Sequence, residues 1–238
     1  MPRPVSRFAT RAAWRLVGRL AFNRIAVVGR ERLPRSGAVL YVATHRNGAL
    51  DGAPYTLAVP AAVPMVSAQL HRTALGRFLF QGIPVARTKD RERGIAADNR
   101  QLIERCISLL KYDCQLLVMP EGTNTLGFRH LPYQRGAARI AHAALDAGIT
   151  LTIVPLAVHY EAPTVWQSRA EVLVGEPMQL QGSEDVAALH RVITQALESV
   201  GANFASEDEQ RKAEALAYAS TLGTDASYAP NGWRSCRC

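Results

Sequence analysis

Short apolar runs alternate along the chain with longer stretches of helical periodicity. The run Ala38–Ala43 is uncharged, contains Val and Tyr, and stops at Thr44-His45, which is typical of a buried strand. Five other runs predict strands, at 25–29, 63–68, 114–119, 149–160 and 172–174, and 82–87 predicts a turn with a short extended piece. Apolar residues at helical spacing predict helices at 73–80, 91–111, 134–147, 184–200 and 207–219.

This alternation predicts an α/β fold, with a mostly parallel twisted sheet covered by helices and an amphipathic helix at the amino end. A chain of 238 residues suits one such domain with an appendage. We expect three parts: an amphipathic basic arm at 1–24, the main domain at 25–200, and a carboxy-terminal helix and tail at 201–238.

The amino-terminal helix is predicted to carry a basic stripe. Arginines recur every four residues, at 3, 7, 11, 15 and 19, and the apolar side chains fall opposite them. This pattern favours a helix lying in a membrane interface, with residues 1–22 contacting an anionic surface. A solvated helix face and a mitochondrial presequence are alternatives. Nucleic-acid binding ranks last, because no RNA- or DNA-binding motif accompanies the arginines.

Charge and cysteine content limit the remaining classes. The net charge of +8 belongs to residues 1–35, which hold nine arginines and one glutamate, whereas the other 19 basic and 19 acidic residues cancel. No uncharged run approaches the roughly 20 residues of a spanning helix, and no secretory signal is evident. The four cysteines show neither zinc-site spacing nor a disulfide framework, so a reduced intracellular setting is expected. Cys236 and Cys238 suit a frayed tail, a metal site or a lipid anchor.

Candidate catalytic residues follow the predicted strand at 38–43. If Asp51 accepts one ring N–H of His45, the other ring nitrogen can take a proton from a hydroxyl or a water. Residues six apart do not face each other on a regular helix, so the pair can meet only if the backbone bends, as Gly48 allows. A structural loop with a solvated His and a capping Asp is the alternative.

Three more strand ends carry distinctive residues: Arg87, then Pro120-Glu121-Gly122-Thr123, then Val154-Pro155. With His45 and Asp51 this ordered set resembles the glycerolipid acyltransferases, the lysophosphatidic acid acyltransferase-like family. The resemblance spans about 25–177, and its four blocks in order are more specific than any one of them.

The resemblance implies transfer of a fatty acyl group from acyl-CoA or acyl carrier protein to a hydroxyl of a glycerolipid precursor, lysophosphatidic acid or glycerol 3-phosphate. His45 would be the general base and Asp51 would orient it. Backbone N–H groups near Gly122 would stabilise the oxyanion. Arg87, Glu121, Gly122, Thr123 and Asn124 would bind substrate. No metal or cofactor is implied beyond the acyl co-substrate, and we expect a cytoplasmic protein, peripheral on the inner face of the cell membrane.

Two departures from the family pattern support rival hypotheses. Five residues separate His45 from Asp51 instead of four, a spacing similar to that of fungal-type glycerol-3-phosphate acyltransferases. Asn124 replaces an Arg that the family associates with the acceptor's phosphate, and Arg87, Arg129 and Arg135 are candidates to compensate. The rivals are a catalytically silent lipid-binding or scaffold protein and an acyltransferase for a non-phosphorylated acceptor. A serine hydrolase is disfavoured, because no Gly-x-Ser-x-Gly elbow occurs.

Overall fold

The computed structural model of the protein describes residues 7–85, 99–182 and 184–221. The strands are β1 (Phe22–Val28), β2 (Ala38–Ala43), β3 (Val63–Ser67), β4 (Ile83–Val85), β5 (Gln115–Val118), β6 (Leu151–Tyr160), β7 (Ser168–Val174) and β8 (Met178–Leu180). The α-helices are α1 (Arg7–Ala21), α2 (Gly52–Ala58), α3 (Ala74–Leu79), α4 (Asn99–Leu110), α5 (Gly136–Asp146), α6 (Val186–Val200) and α7 (Glu207–Thr221). None of the helices in these ranges is long and apolar enough to cross a membrane.

All eight strands form one sheet in the order β1-β7-β6-β2-β5-β3-β4, and β8 pairs with the first part of β6. Neighbours are parallel except that β6 is antiparallel to β7 and to β8. The central strand β2 lies between β5 and β6 and is parallel to both. The predicted α/β class with a mostly parallel sheet and an amino-terminal helix is confirmed.

Alternation along β2 divides the core into two layers. Leu40 and Val42 pack beneath α4, α5 and α6 on one face of the sheet. Val39 and Tyr41 belong to the cluster on the other face, which includes Tyr55 of α2. Every residue of β2 is buried. The polar residues that follow β2 lie at the carboxyl edge of the sheet, where open α/β sheets bind ligands.

Pro155 lies inside β6, where a missing N–H would normally interrupt a central strand. It falls at the break between β7 and β8, where the N–H of Gly175 donates to the Pro155 carbonyl at 2.9 Å. A Cβ on Gly175 would lie 2.7 Å from Pro155 Cγ, so the close approach requires glycine. The break explains why β8, a short strand that the sequence pattern does not predict, exists as a separate element.

Helix α1 packs on the domain and is not a detached arm. The Trp14 indole donates to the Leu79 carbonyl at 2.8 Å and meets Phe80 edge-on, with ring centroids 5.3 Å apart. Phe22, directly after the helix, is buried and stacks on Tyr160. The division at residues 24 and 200 stays a prediction, and β1 runs across residue 24.

The carboxy-terminal segment covers one side of the loop after β5. The Phe204 N–H donates to the Phe128 carbonyl at 2.9 Å, and Arg129 Nε donates to the Phe204 carbonyl at 3.1 Å. Ala202, Phe204 and Ala213 form a small buried cluster against Phe128. Cys236 and Cys238 lie outside the described residues.

Candidate active site

The chain bends sharply after β2 and brings His45 to Asp51. Gly48 has φ +56°, which favours glycine, and it begins a 3-10 turn that ends at Asp51, immediately before the start of α2. His45 Nδ1 lies 2.7 Å from Asp51 Oδ2. The bend expected at Gly48 is therefore present, and the two candidate residues meet despite the five residues between them.

The Asp51 carboxylate is 0% exposed and is held by three further donors. The backbone N–H groups of Arg46 and Asn47 donate to it at 2.8 and 3.0 Å, and the Tyr160 hydroxyl donates to Oδ1 at 2.5 Å. Because a carboxylate accepts hydrogen bonds, the nitrogen beside it is the donor, and Asp51 accepts the Nδ1–H of His45. The other ring nitrogen, Nε2, has no hydrogen-bond partner within the part of the chain that the structure describes, and it is the one available to accept a proton.

Tyr160 is a site residue that the sequence pattern does not single out. Burial raises its pKa well above the ordinary value, and the neighbouring Asp51 carboxylate raises it further, so the phenol remains a donor. Tyr160 ends β6, which is parallel to β2, so the carboxyl ends of both strands share one edge of the sheet. A polar residue at the end of a strand that neighbours β2 is the signal that could have found it.

Glu121 ties the loop after β5 to the candidate base. Its Oε1 accepts from the His45 backbone N–H at 2.8 Å, and its Oε2 accepts from the Leu131 N–H at 3.1 Å. His130 Nδ1 lies 3.4 Å from Oε1, outside hydrogen-bond geometry. The Glu121 side chain is buried, so these contacts fix the position of the His45 backbone.

Gly122, Thr123 and Asn124 form a turn beside the His45 loop. Gly122 has φ +70°, and its N–H donates to the Met119 carbonyl at 3.2 Å. The Asn124 side chain faces Gly48, since a Cβ on Gly48 would lie 3.7 Å from Asn124 Oδ1. The structure thus brings Glu121, Gly122, Thr123 and Asn124 to the same edge as His45. Arg87 lies outside the described residues.

Arg46 is a second residue that the pattern misses, and it connects the site to the carboxy-terminal segment. Its Nη2 donates to the Gly127 carbonyl at 2.8 Å, while Nη1 is buried without a hydrogen-bond partner in the described part of the chain. Burial lowers the pKa of the guanidinium, and the Glu121 and Asp51 carboxylates oppose this effect. With Glu214 of α7, Arg46 lines a small cavity of about 40 Å³.

A much larger cavity, of about 980 Å³, opens beside His45. The loop after β5 forms its polar end with Arg135, Arg139 and His190. Aliphatic side chains of β3, α3 and α4 line much of the rest, together with the aromatic rings of Trp14, Tyr55 and Phe80. Arg129 does not line it and is engaged with the Phe204 carbonyl. Within the described ranges, no group of three or more His, Cys, Asp or Glu side chains is arranged to hold a metal ion.

One wall of this cavity is the buried face of α1. Trp14 lines the cavity together with Gly52, the residue that follows Asp51. A Cβ on Gly52 would lie 2.5 Å from Trp14 Cη2, so only glycine fits beneath the indole. The amino-terminal helix is therefore in direct contact with the turn that presents Asp51.

A search of curated protein sequences finds no significant match to the chain. Among solved structures, the crystal structure of the 1-acyl-sn-glycerophosphate (LPA) acyltransferase, PlsC, from Thermotoga maritima is similar, with a TM-score of 0.53 and 17% sequence identity over 83% of this chain and 82% of that one. At this identity the likeness shows a shared fold. The family model described as Acyltransferase matches residues 24–159, which is more than half of the chain and includes His45, Asp51 and the turn at 121–124. The chain therefore belongs to the acyltransferase family.

Proposed function

We propose that the protein transfers a fatty acyl group from acyl-CoA or acyl carrier protein to a hydroxyl of a glycerolipid precursor, either lysophosphatidic acid or glycerol 3-phosphate. The observation that carries the proposal is the His45–Asp51 pair, 2.7 Å apart, at the wall of a cavity whose other walls are mostly apolar. A base at the polar end and room for a hydrocarbon chain are what acyl transfer to a lipid requires.

In this mechanism His45 Nε2 takes the proton of the acceptor hydroxyl as its oxygen attacks the thioester carbonyl. Asp51 holds the imidazole through Nδ1 and stabilises its charged form. The tetrahedral intermediate collapses with loss of the thiolate, which receives the proton from His45. The products are the acyl ester and the free thiol, and the base is regenerated.

The oxyanion of that intermediate needs hydrogen-bond donors. The Gly122 N–H already donates to the Met119 carbonyl. Thr123 and Asn124 line the same cavity, and we assign the oxyanion contact to their backbone N–H groups. Glu121 acts by positioning His45, since both of its carboxylate oxygens accept backbone N–H groups.

The acceptor's phosphate needs a positive partner, and Asn124 supplies an amide instead of a guanidinium. Arg87 keeps the substrate-binding role that the family pattern gives it. Arg135 joins it, because Gln134 N–H donates to the Pro120 carbonyl at 2.7 Å and thereby sets the next residue beside the 121–124 turn. Arg135 and Arg139 both line the cavity, and neither has a carboxylate partner among the described residues.

Membrane attachment follows from the outer face of α1. Trp14 and Gly18 turn inward, whereas Leu16 and Leu20 are exposed beside Arg15 and Arg19. An apolar strip flanked by arginines suits the interface of an anionic bilayer. We assign the protein to the inner face of the cell membrane, as a peripheral enzyme.

The test is acyl transfer from a labelled acyl thioester to lysophosphatidic acid and glycerol 3-phosphate by purified protein. His45→Ala is expected to lower turnover by about a hundredfold to ten-thousandfold, the usual contribution of a positioned base. His142→Ala is the matched control, since that imidazole lies on α5 outside the cavity. A wild type without transferase activity favours the catalytically silent lipid-binding protein. A His45→Ala variant with near-normal activity would show that His45 is not the general base.

A further inference from the structure

The turn between β6 and β7, residues 161–167, exposes two apolar side chains at its tip. Val165 is 59% exposed and Trp166 is 70% exposed. The turn is held firmly at its base, where Arg169 donates to Glu161 Oε1 at 2.8 Å and the Ser168 hydroxyl donates to the Ala162 carbonyl at 2.8 Å. A further hydrogen bond of 3.0 Å joins the Val165 N–H to the Ala162 carbonyl. The Val165–Trp166 tip is thus presented outward by an ordered support.

This tip adjoins the carboxyl end of α1. The Gln167 side-chain amide donates to the Arg19 and Leu20 carbonyls at 3.0 and 2.5 Å, and the Gln167 N–H donates to the Ala21 carbonyl at 3.0 Å. Trp166, the neighbour of Gln167 in the chain, therefore lies near the carboxyl end of α1, where Leu20 is exposed. Apolar side chains scattered singly on a surface are ordinary, whereas a contiguous group indicates a contact surface.

The charges around this surface indicate what covers it. Arg15 and Arg19 flank the strip on α1, whose described residues include no acid, and the nearest carboxylate of the turn, Glu161, is already paired with Arg169. An exposed Trp beside arginines is the composition of a bilayer interface, where the indole sits among head groups and the arginines meet anionic phosphates.

We propose that the 161–167 turn is a second membrane contact, which enters the interface of an anionic bilayer beside α1. The turn also contacts the segment between β2 and α2 that carries His45, because Asn47 Nδ2 donates to the Pro163 carbonyl at 3.0 Å. Two contacts fix the tilt of the molecule where one helix alone leaves it free to roll, so the turn orients the His45 edge toward the bilayer. The inference rests on the membrane association in the proposed function and does not depend on the acyl-transfer reaction.

Tryptophan fluorescence tests the contact directly. Full-length protein carrying Trp233→Phe is mixed with phosphatidylglycerol-containing vesicles, with and without brominated acyl chains, and compared with the same protein carrying Trp166→Phe as well. The expected result is strong quenching and a blue shift of emission that disappear with Trp166→Phe. Quenching that is unchanged by Trp166→Phe overturns the proposal, as does a protein that does not bind the vesicles.

Affinity supplies a second readout. Val165→Ser with Trp166→Ala is expected to lower vesicle partitioning about tenfold, equivalent to ~1.4 kcal/mol. Tyr112→Ala is the matched control. This exposed aromatic precedes β5 and so lies at the amino-terminal ends of the parallel strands, away from the 161–167 turn. The vesicle partitioning of this variant is expected to be unchanged. Equal losses in both variants overturn the proposal, and so does a lipid-free dimer that Trp166→Ala abolishes, which assigns the surface to a second copy. Acyl transfer measured with detergent-dispersed substrates separates a failed proposed function from a failed membrane contact.

Discussion

At the scale of single residues, Tyr160 offers a test of how the Asp51 carboxylate is held. Tyr160→Phe removes one of its four donors and leaves the ring that stacks on Phe22. A hydrogen bond to a charged group contributes ~1.5–3 kcal/mol, so we expect kcat to fall about tenfold or more while KM changes little.

Tyr41→Phe is the matched control, because that buried hydroxyl contacts Gln115 at 3.3 Å, away from Asp51. Steady-state kinetics of both variants measure the effect. A Tyr160→Phe enzyme whose kcat equals that of Tyr41→Phe would show that Asp51 is positioned without the phenol.

His159 predicts how stability depends on pH. Burial lowers its pKa to about 3, helped by the nearby His130 and Arg46, and one ring nitrogen lies 3.0 Å from the Val200 carbonyl. Between about pH 6.5 and 3 the unfolded chain therefore binds a proton that the folded protein does not. Stability falls as pH decreases through this window, by up to about 1.4 kcal/mol per pH unit.

Urea unfolding at pH 7 and pH 5 measures this effect. His159→Gln keeps a donor for the Val200 carbonyl but does not titrate, so wild type is expected to lose about 2 kcal/mol more than the variant between the two pH values. Equal losses would locate the acid sensitivity elsewhere.

The acceptor's phosphate is the third question at this scale. Arg135→Ala and Arg87→Ala are each expected to raise KM for a phosphorylated acceptor about tenfold to a hundredfold, the equivalent of a charge-assisted contact of ~1.5–3 kcal/mol. KM for the acyl donor should change less. Asn124→Arg should leave a phosphorylated acceptor tolerated or improved.

Kinetics with glycerol 3-phosphate, lysophosphatidic acid and an uncharged hydroxyl lipid distinguish the alternatives. Arg105→Ala, on the exposed face of α4, serves as the control for a lost surface charge. A wild type that acylates only the uncharged lipid, with no response to either arginine variant, would establish the non-phosphorylated acceptor.

At the scale of elements, α1 separates buried from exposed aromatic side chains. Trp14 is buried and donates to Leu79, whereas Phe8 is 75% exposed. Trp14→Ala is expected to lower the free energy of unfolding by ~3–5 kcal/mol, as for other buried aromatics. Phe8→Ala should change it by less than about 0.5 kcal/mol. Chemical denaturation measures both, and similar values for the two variants would mean that the helix does not contribute to folding.

The same helix shows what periodicity can and cannot predict. The arginine stripe and the apolar face follow directly from 100° per residue, so the amphipathic character of α1 is readable from the sequence. The sequence does not show which side of α1 packs on the domain, because the shape of the surface beneath the helix selects Trp14 and Gly18. Trp14 lies near the polar boundary of the predicted helix, yet it is the residue that anchors it.

At the scale of the whole molecule, the alternation of strands and helices was enough to predict the α/β sheet and His45 at its carboxyl edge. Short or polar strands were harder to predict from the sequence. Strand β8 has only three residues. Strand β7 begins with Ser168-Arg169-Ala170-Glu171, whose polar side chains are accommodated by tertiary partners. Tyr160 and Arg46 reach the site through contacts between elements distant in sequence, and no local pattern encodes such contacts.

The close approach of Trp14 to Gly52 has a thermodynamic consequence. The inner face of α1 rests on the turn beside Asp51, so a bilayer bound to the outer face, as proposed, would act on the site through the same helix. If the membrane alters the cavity's affinity for an acyl chain by some factor, linkage requires an acyl chain in the cavity to alter the protein's affinity for the membrane by the same factor. Contacts on the two opposite faces of one helix would make substrate occupancy and residence time on the membrane reciprocal properties.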